Sequence, residues 1–147
     1  MQVHRLANAL SALGHTVRCF SFSPPPADAA YAVELLDWGD AGPVGRKFVP
    51  ARRFAAIDTT AFDIVHYHGD DYRCRGSRRR VRTFYGSALN EALAASSRAR
   101  FFYQALFYCF EWVSCLRQGV TAGISRATQR ALPLVRYVIP CGIPLTH

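Results

Sequence analysis

Between residues 62 and 139, four runs rich in β-branched and aromatic residues alternate with stretches of helical spacing: FDIVHYH (62–68), RRVRTFY (79–85), GVTAGI (119–124) and VRYVI (135–139). Strands that alternate with helices specify an α/β domain with a mostly parallel sheet, because each parallel pair needs a long crossover and a helix supplies it. Ligands of such sheets gather beyond the carboxyl ends of the strands, where the loops diverge. That rule singles out His68, Gly69, Asp70 and Asp71, just past one strand, and Tyr85, Gly86 and Ser87, just past the next.

The flanking pattern agrees with this class. Val3, Leu6, Ala7, Leu10 and Leu13 recur at helical spacing, and Gly14 stands where a helix ends in a left-handed residue. TVRCFSF (16–22) alternates like a strand, and the three prolines of SPPPADAA (23–30) enforce a loop. VELLDW (33–38) reads as a second short strand, GDAGPVGRK (39–47) as a loop and PARRFAAI (50–57) as a short helix. The glycines of 39–47 lack the spacing and the final Ser or Thr of a phosphate-binding P-loop. Ser87 is an N-cap for ALNEALAASS, a longer helix is expected over 98–117, and Ser125 caps RATQRAL, which Pro133 ends.

A chain of 147 residues, half of them hydrophobic, is one domain's worth of packed globule. The net charge is +8, and Lys47 is the one basic residue that is not arginine. Arginine suits phosphate and carboxylate partners, although an alanine- and arginine-rich chain also results from a GC-rich coding sequence. The five cysteines are odd in number and lack paired metal spacing, so a reducing compartment, the cytoplasm, is expected. No secretory signal pattern opens the chain. The most apolar stretch, FFYQALFYCFEWVSCL (101–116), contains Gln104, Glu111 and Ser114 and is shorter than a bilayer span. It reads as a buried or interfacial helix, with core packing favoured over a membrane-facing stripe.

The segments ALSALGHTVRCF, FDIVHYHG, VRTFYGS, GVTAGISRATQRAL and VRYVIPCGIP, in this order, resemble the N-terminal domain of subfamily 4-like glycosyltransferases of GT-B architecture. The resemblance spans nearly the whole chain. It implies a Rossmann-like, mostly parallel sheet flanked by helices, forming one acceptor-side domain over residues 1–147. It also implies a hinge at Pro140, Cys141 and Gly142, a first strand with its glycine-rich loop missing, and an absent C-terminal donor domain. Such enzymes move a sugar, with retention as the family's suggestion, from a nucleotide-sugar donor to a hydroxyl acceptor, here a glycan, lipid or small molecule. No covalently bound cofactor is implied, and the isolated chain is expected to be inactive. Two positions depart from the family: Tyr85 stands where a histidine is common, and Cys141 where asparagine is usual. A tyrosine hydroxyl with an ordinary pKa of about 10 orients a substrate rather than acting as a base.

On this reading Tyr85 and His68 are the catalytic candidates, with Gly69, Asp70, Asp71, Gly86 and Ser87 binding the acceptor. Competing readings of the same residues are open. His66 and His68 stand two apart, and HYHGDD partly matches the HxHxDH pattern of metallo-β-lactamase-type hydrolases, but Asp71 occupies the final histidine's place, so no metal is expected. His66 is expected to be a hydrogen-bonded core residue. An aspartate pair after glycine is often plain turn chemistry, and at least one of Asp70 and Asp71 is expected to serve the turn. Backbone N–H groups at the Gly86–Ser87 helix start are candidates for receiving a phosphate or sugar oxygen. Arg73, Arg75, Arg78, Arg79, Arg80 and Arg82 form the densest positive stretch, either an anionic-acceptor or membrane-surface patch at the inner face of the membrane, or a solvated loop. A non-catalytic basic domain for nucleic acid or anionic membrane is the remaining alternative. Nucleic acid is not expected, because aromatic stacking platforms do not interleave these arginines and no helix-turn-helix or zinc-finger pattern is present.

Overall fold

The computed structural model describes residues 2–75 and 77–141, excepting the side chains of Ser77, Arg78 and Gln118. Gly142 of the expected hinge and His147 therefore lie outside the described residues, as does the Arg78 side chain.

Helix α1 (Gln2–Ala12) ends as its sequence requires. Gly14 has φ +88°, its N–H donates to Ser11 O at 3.0 Å, and the His15 N–H donates to Leu10 O at 3.1 Å, the paired bonds of a Schellman cap. Strands β1 (Arg18–Ser21) and β2 (Ala32–Leu35) pair in parallel, and the proline-rich loop between them is held down by α1. The Asn8 amide accepts from Ala30 N at 2.8 Å and donates to Asp28 O at 3.0 Å, while His4 meets Tyr31 OH at 3.0 Å.

A short turn of helix, α2 (Pro43–Arg46), and then α3 (Val49–Ala56) lead into β3 (Val65–Tyr67). The expected loop over 39–47 is thus partly helical: Pro43 supplies a pre-set φ at a first helical position, where no N–H is needed. β3, β4 (Ser77–Phe84), β5 (Gln118–Gly123) and β6 (Tyr137–Val138) form a four-stranded sheet in that order, with every ladder parallel. The crossovers carry α4 (Ala88–Leu93) and α5 (Arg98–Arg117) between β4 and β5, and α6 (Arg126–Ala131) between β5 and β6. The expected caps are present: Ser87 Oγ accepts from Leu89 N, and Ser125 Oγ from Thr128 N. The α/β class and the parallel sheet flanked by helices hold, but the strands form sheets of two and four rather than one.

The core lies under the carboxyl half of β4 and β5. Phe84, Cys115, Leu132 and Val135 pack together, with Tyr108 and Trp112 of α5 against them. Tyr108 reaches across to donate from its hydroxyl to Ala131 O at 2.7 Å. α5 therefore has two characters: its carboxyl half sets Tyr108, Trp112 and Cys115 against the core, whereas Phe101, Phe102 and Leu106 in its first half are exposed.

Candidate functional site

Strand periodicity assigns the site residues to their faces. β3 and β4 pair with His66 opposite Val81 and Tyr67 opposite Arg82, so alternate residues of the two strands share a face. On one face His66 Nε2 meets Thr83 Oγ1 at 2.8 Å, and just past the strand ends His68 Nδ1 meets Tyr85 OH at 2.7 Å. The two imidazoles lie 4.0 Å apart. The expectation that His68 and Tyr85 share one rim of a parallel sheet is met directly by this hydrogen bond. His66 is the hydrogen-bonded, largely covered residue expected of it.

Burial, the neighbouring His66 and the Arg82 guanidinium push the His68 pKa down to about 3, and burial and Arg82 lower that of His66. His68 is therefore neutral at physiological pH. Tyr85 stays protonated, since burial and the nearby Cys141 thiol raise its pKa and Arg82 only partly opposes them. A neutral imidazole has one N–H to give. Whichever partner donates, one imidazole nitrogen and one phenol lone pair remain for a substrate hydroxyl.

These shifts make the two imidazoles one contribution to the acid stability of the domain. Below pH 6.5 the unfolded chain takes up protons that the folded imidazoles refuse, so their contribution to stability is full above pH 6.5 and falls as pH drops toward about 3, opposed by Asp70 and Glu111, whose raised pKa values favour the folded state in acid. The limit is about 1.4 kcal/mol per pH unit for one group; with solvent reaching the rings, a loss of about 1 kcal/mol between pH 6.5 and 5 is expected. Urea unfolding at both pH values measures it. A His68→Asn variant should show a smaller drop, and a drop equal to the wild type's would detach His68 from the effect.

The other face of β4 faces α5. Arg80, Arg82 and Phe84 follow one another there, with the Arg80 guanidinium carbon 5.7 Å from the Tyr67 ring and that of Arg82 4.7 Å from the Phe84 ring. The expected arginine patch is consequently divided. Arg73, Arg75 and Arg79 are exposed, while Arg80, which donates to Thr59 Oγ1 at 3.1 Å, is half-buried and Arg82 keeps only 11% of its side chain exposed. The physical reason is that this stretch is an interior strand, not a solvated loop, so alternate arginines turn inward.

Asp71 is fully buried. Its Oδ1 accepts from Ser114 Oγ at 2.7 Å and lies 3.7 Å from Arg82 Nε, and its carbonyl accepts from Cys74 N at 2.8 Å to close the turn. It serves the turn and the core rather than a solvent-facing surface. Asp70 is instead half-buried and lines a cavity of about 260 Å³ together with Arg82, Tyr85, Gly86, Ser87 and Glu111. Burial raises the Asp70 pKa, with Arg82 opposing and Asp71 adding to the rise. Gly69 lies beside Phe54, 3.6 Å from where a side chain would begin. Pro140 is exposed and Cys141 half-buried.

The helix start expected to receive a ligand oxygen already holds one of the chain's own. Ala88 N donates to both Glu111 carboxylate oxygens at 3.0 Å, and Ser87 Oγ donates to Glu111 Oε2 at 3.1 Å. Burial raises the Glu111 pKa, and these hydrogen bonds together with Arg82 hold it back. Glu111 is the site residue that sequence reasoning passed over. The signal was there: Gln104, Glu111 and Ser114 interrupt an apolar helix at spacings of seven and three, which puts them on one face. That face lines the cavity, with Gln104 Nε2 donating to Glu91 Oε2 at 2.6 Å.

Among the described residues no group of three or more His, Cys, Asp or Glu side chains is placed to hold a metal ion. His66 and His68 are directed at Thr83 and Tyr85 instead. Among the described residues no helix is long and apolar enough to cross a membrane.

No curated protein and no solved structure matches the chain. One family model does, from residue 1 to residue 147, and its description, Glycosyltransferase Family 4, agrees with the parallel sheet flanked by helices and with the segments that first suggested it. The chain belongs to Glycosyltransferase Family 4.

Proposed function

We propose that this chain is the acceptor-side half of a glycosyltransferase, which moves a sugar from a nucleotide-sugar donor onto the hydroxyl of a glycan, lipid or small-molecule acceptor. The observation that carries the reading is the 2.7 Å contact between a neutral His68 and a protonated Tyr85 at the carboxyl rim of β3 and β4, next to a cavity that Tyr85 also lines. Tyr85 orients the acceptor hydroxyl, and His68 hydrogen-bonds to the sugar or the acceptor. Asp70 reaches the same space, and the Gly86–Ser87 turn shapes its wall. The donor belongs to a second Rossmann-like domain, reached through the hinge at Pro140, Cys141 and Gly142.

The free cysteines, Cys19, Cys74, Cys109, Cys115 and Cys141, fit a reducing cytoplasmic setting. The test is transfer from a nucleotide sugar by the two-domain enzyme, with and without substitutions at His68 and Tyr85. The 147-residue chain alone should transfer nothing, and measurable turnover by it would overturn the division of labour.

A further inference from the structure

Helix α5 is apolar on two sides and packs on one. Phe107 and Phe110 line the cavity, and Tyr108, Trp112 and Cys115 meet the core. On the other side Phe102, Leu106, Cys109, Val113 and Leu116 recur at intervals of four, three, four and three residues. At about 100° of turn per residue that rhythm confines all five to one stripe, within about 40° of its centre line. Phe102 is 69% exposed, Leu106 44% and Leu116 72%, with Cys109 exposed and Val113 half-buried between them. A continuous apolar row that faces water marks a contact surface.

The spacing identifies the occupant. Intervals that alternate between three and four form the seam into which a second helix inserts its side chains, knob into hole. A lipid surface asks only for an apolar side with a cationic opposite face, and no fixed repeat.

Charge then selects which helix and in which direction. Arg98 heads the same stripe, one turn before Phe102 and at the positive amino end of α5, and no acidic residue stands in that first turn. A parallel second copy would set the two Arg98 side chains against each other. An antiparallel copy carries each to the carboxyl end of the facing α5, the negative end of that helix. The Arg117 guanidinium there is already turned away to donate to Tyr72 O at 2.8 Å. Cys109 stands at the midpoint of the stripe, seven residues from Phe102 and seven from Leu116, so the antiparallel arrangement is self-complementary. Phe102 meets the partner's Leu116, and Leu106 meets the partner's Val113. Such a contact closes on itself as a two-fold dimer rather than growing into a filament.

We propose that α5 is a homodimerisation helix, along which two copies of this chain pair antiparallel through Phe102, Leu106, Cys109, Val113 and Leu116 about a two-fold axis near Cys109. The pairing is independent of the sugar chemistry. Gln104, Phe107, Glu111 and Ser114, which line the cavity, lie on the other side of the helix and stay clear of the interface.

Sedimentation velocity of the purified chain at micromolar concentration should give twice the monomer mass. Replacing Leu106→Glu and Leu116→Glu together, both at exposed positions, should leave the circular dichroism unchanged and weaken dimerisation on the order of 100-fold, so that a monomer remains at the same concentration. On the unaltered chain a short bis-maleimide should join two copies, and Cys109→Ser should prevent it, a readout that does not depend on how the glutamate variant folds. With Cys109→Ser in place, Phe102→Cys chains mixed with Leu116→Cys chains should link to each other and not to themselves. A monomer at every concentration, a dimer that survives both glutamates, a dimer without linkage through Cys109, or linkage of like with like overturns the proposal. A monomer that sediments with phosphatidylglycerol vesicles and loses that binding with the same two glutamates assigns the stripe to a membrane and overturns it as well.

Discussion

Transfer by the two-domain enzyme should fall by about 100-fold or more when His68→Ala and Tyr85→Phe are combined, with the loss mainly in kcat. On the proposed function the pair contributes orientation: a hydroxyl that must meet the sugar's anomeric carbon would be held by groups that are themselves fixed to each other at 2.7 Å. Losing either partner frees the other to rotate, so the single variants should each cost most of what the double variant costs. The substitutions remove no core side chain, since Tyr85 is 39% exposed and His68 lies beyond the end of β3. Folding, followed by circular dichroism, should be intact. Near-normal turnover in the double variant would take both residues out of the site.

Asp71→Asn should cost about 3 kcal/mol of stability without touching His68 or Tyr85. Breaking a buried ion pair by removing one charge typically costs about 3–5 kcal/mol, because the remaining charge stays desolvated. Arg82 would be that charge, and its Nε and Nη1 atoms already lack a hydrogen-bond partner. Asp70 and Glu111 lie within electrostatic reach of Arg82, which puts the expected cost at the low end. For a domain of this size about 3 kcal/mol corresponds to a melting temperature lower by roughly 6–12 °C. Ser114→Ala removes only the hydroxyl donor to the same carboxylate and should cost about 1 kcal/mol. Equal effects of the two substitutions would mean that the Asp71 charge does not matter.

The sheet was legible because its signals are local. The β-branched runs at 79–85 and 119–124, the serine caps Ser87 and Ser125 and the Gly14 terminator each act within a few residues, and the structure contains all of them. Strand periodicity also places His68 beside Tyr85 once the two strands pair in parallel. What stayed hidden depends on which face packs against what. The charge of the arginine stretch is obvious in the sequence, but the inward turn of Arg80 and Arg82 follows only from β4 being an interior strand. Asp70 and Asp71 are adjacent and chemically identical, yet one lines the cavity beside Tyr85 and the other is sealed under α5 by Ser114, 43 residues away. Glu111 shows the same limit. Its neighbours marked an interrupted apolar helix, but its partners at Ser87 and Ala88 belong to another element.

The claim on which the rest depends is that the loops after β3 and β4 meet through His68 and Tyr85. Nitrogen-15 NMR titration of the histidine imidazoles in the purified chain tests it most directly. The account predicts that His68 remains neutral from pH 8 down to pH 5, titrating far below the ordinary 6.5, and that Tyr85→Phe changes its ring-nitrogen shifts. A His68 that titrates near 6.5 and is indifferent to Tyr85→Phe would contradict it.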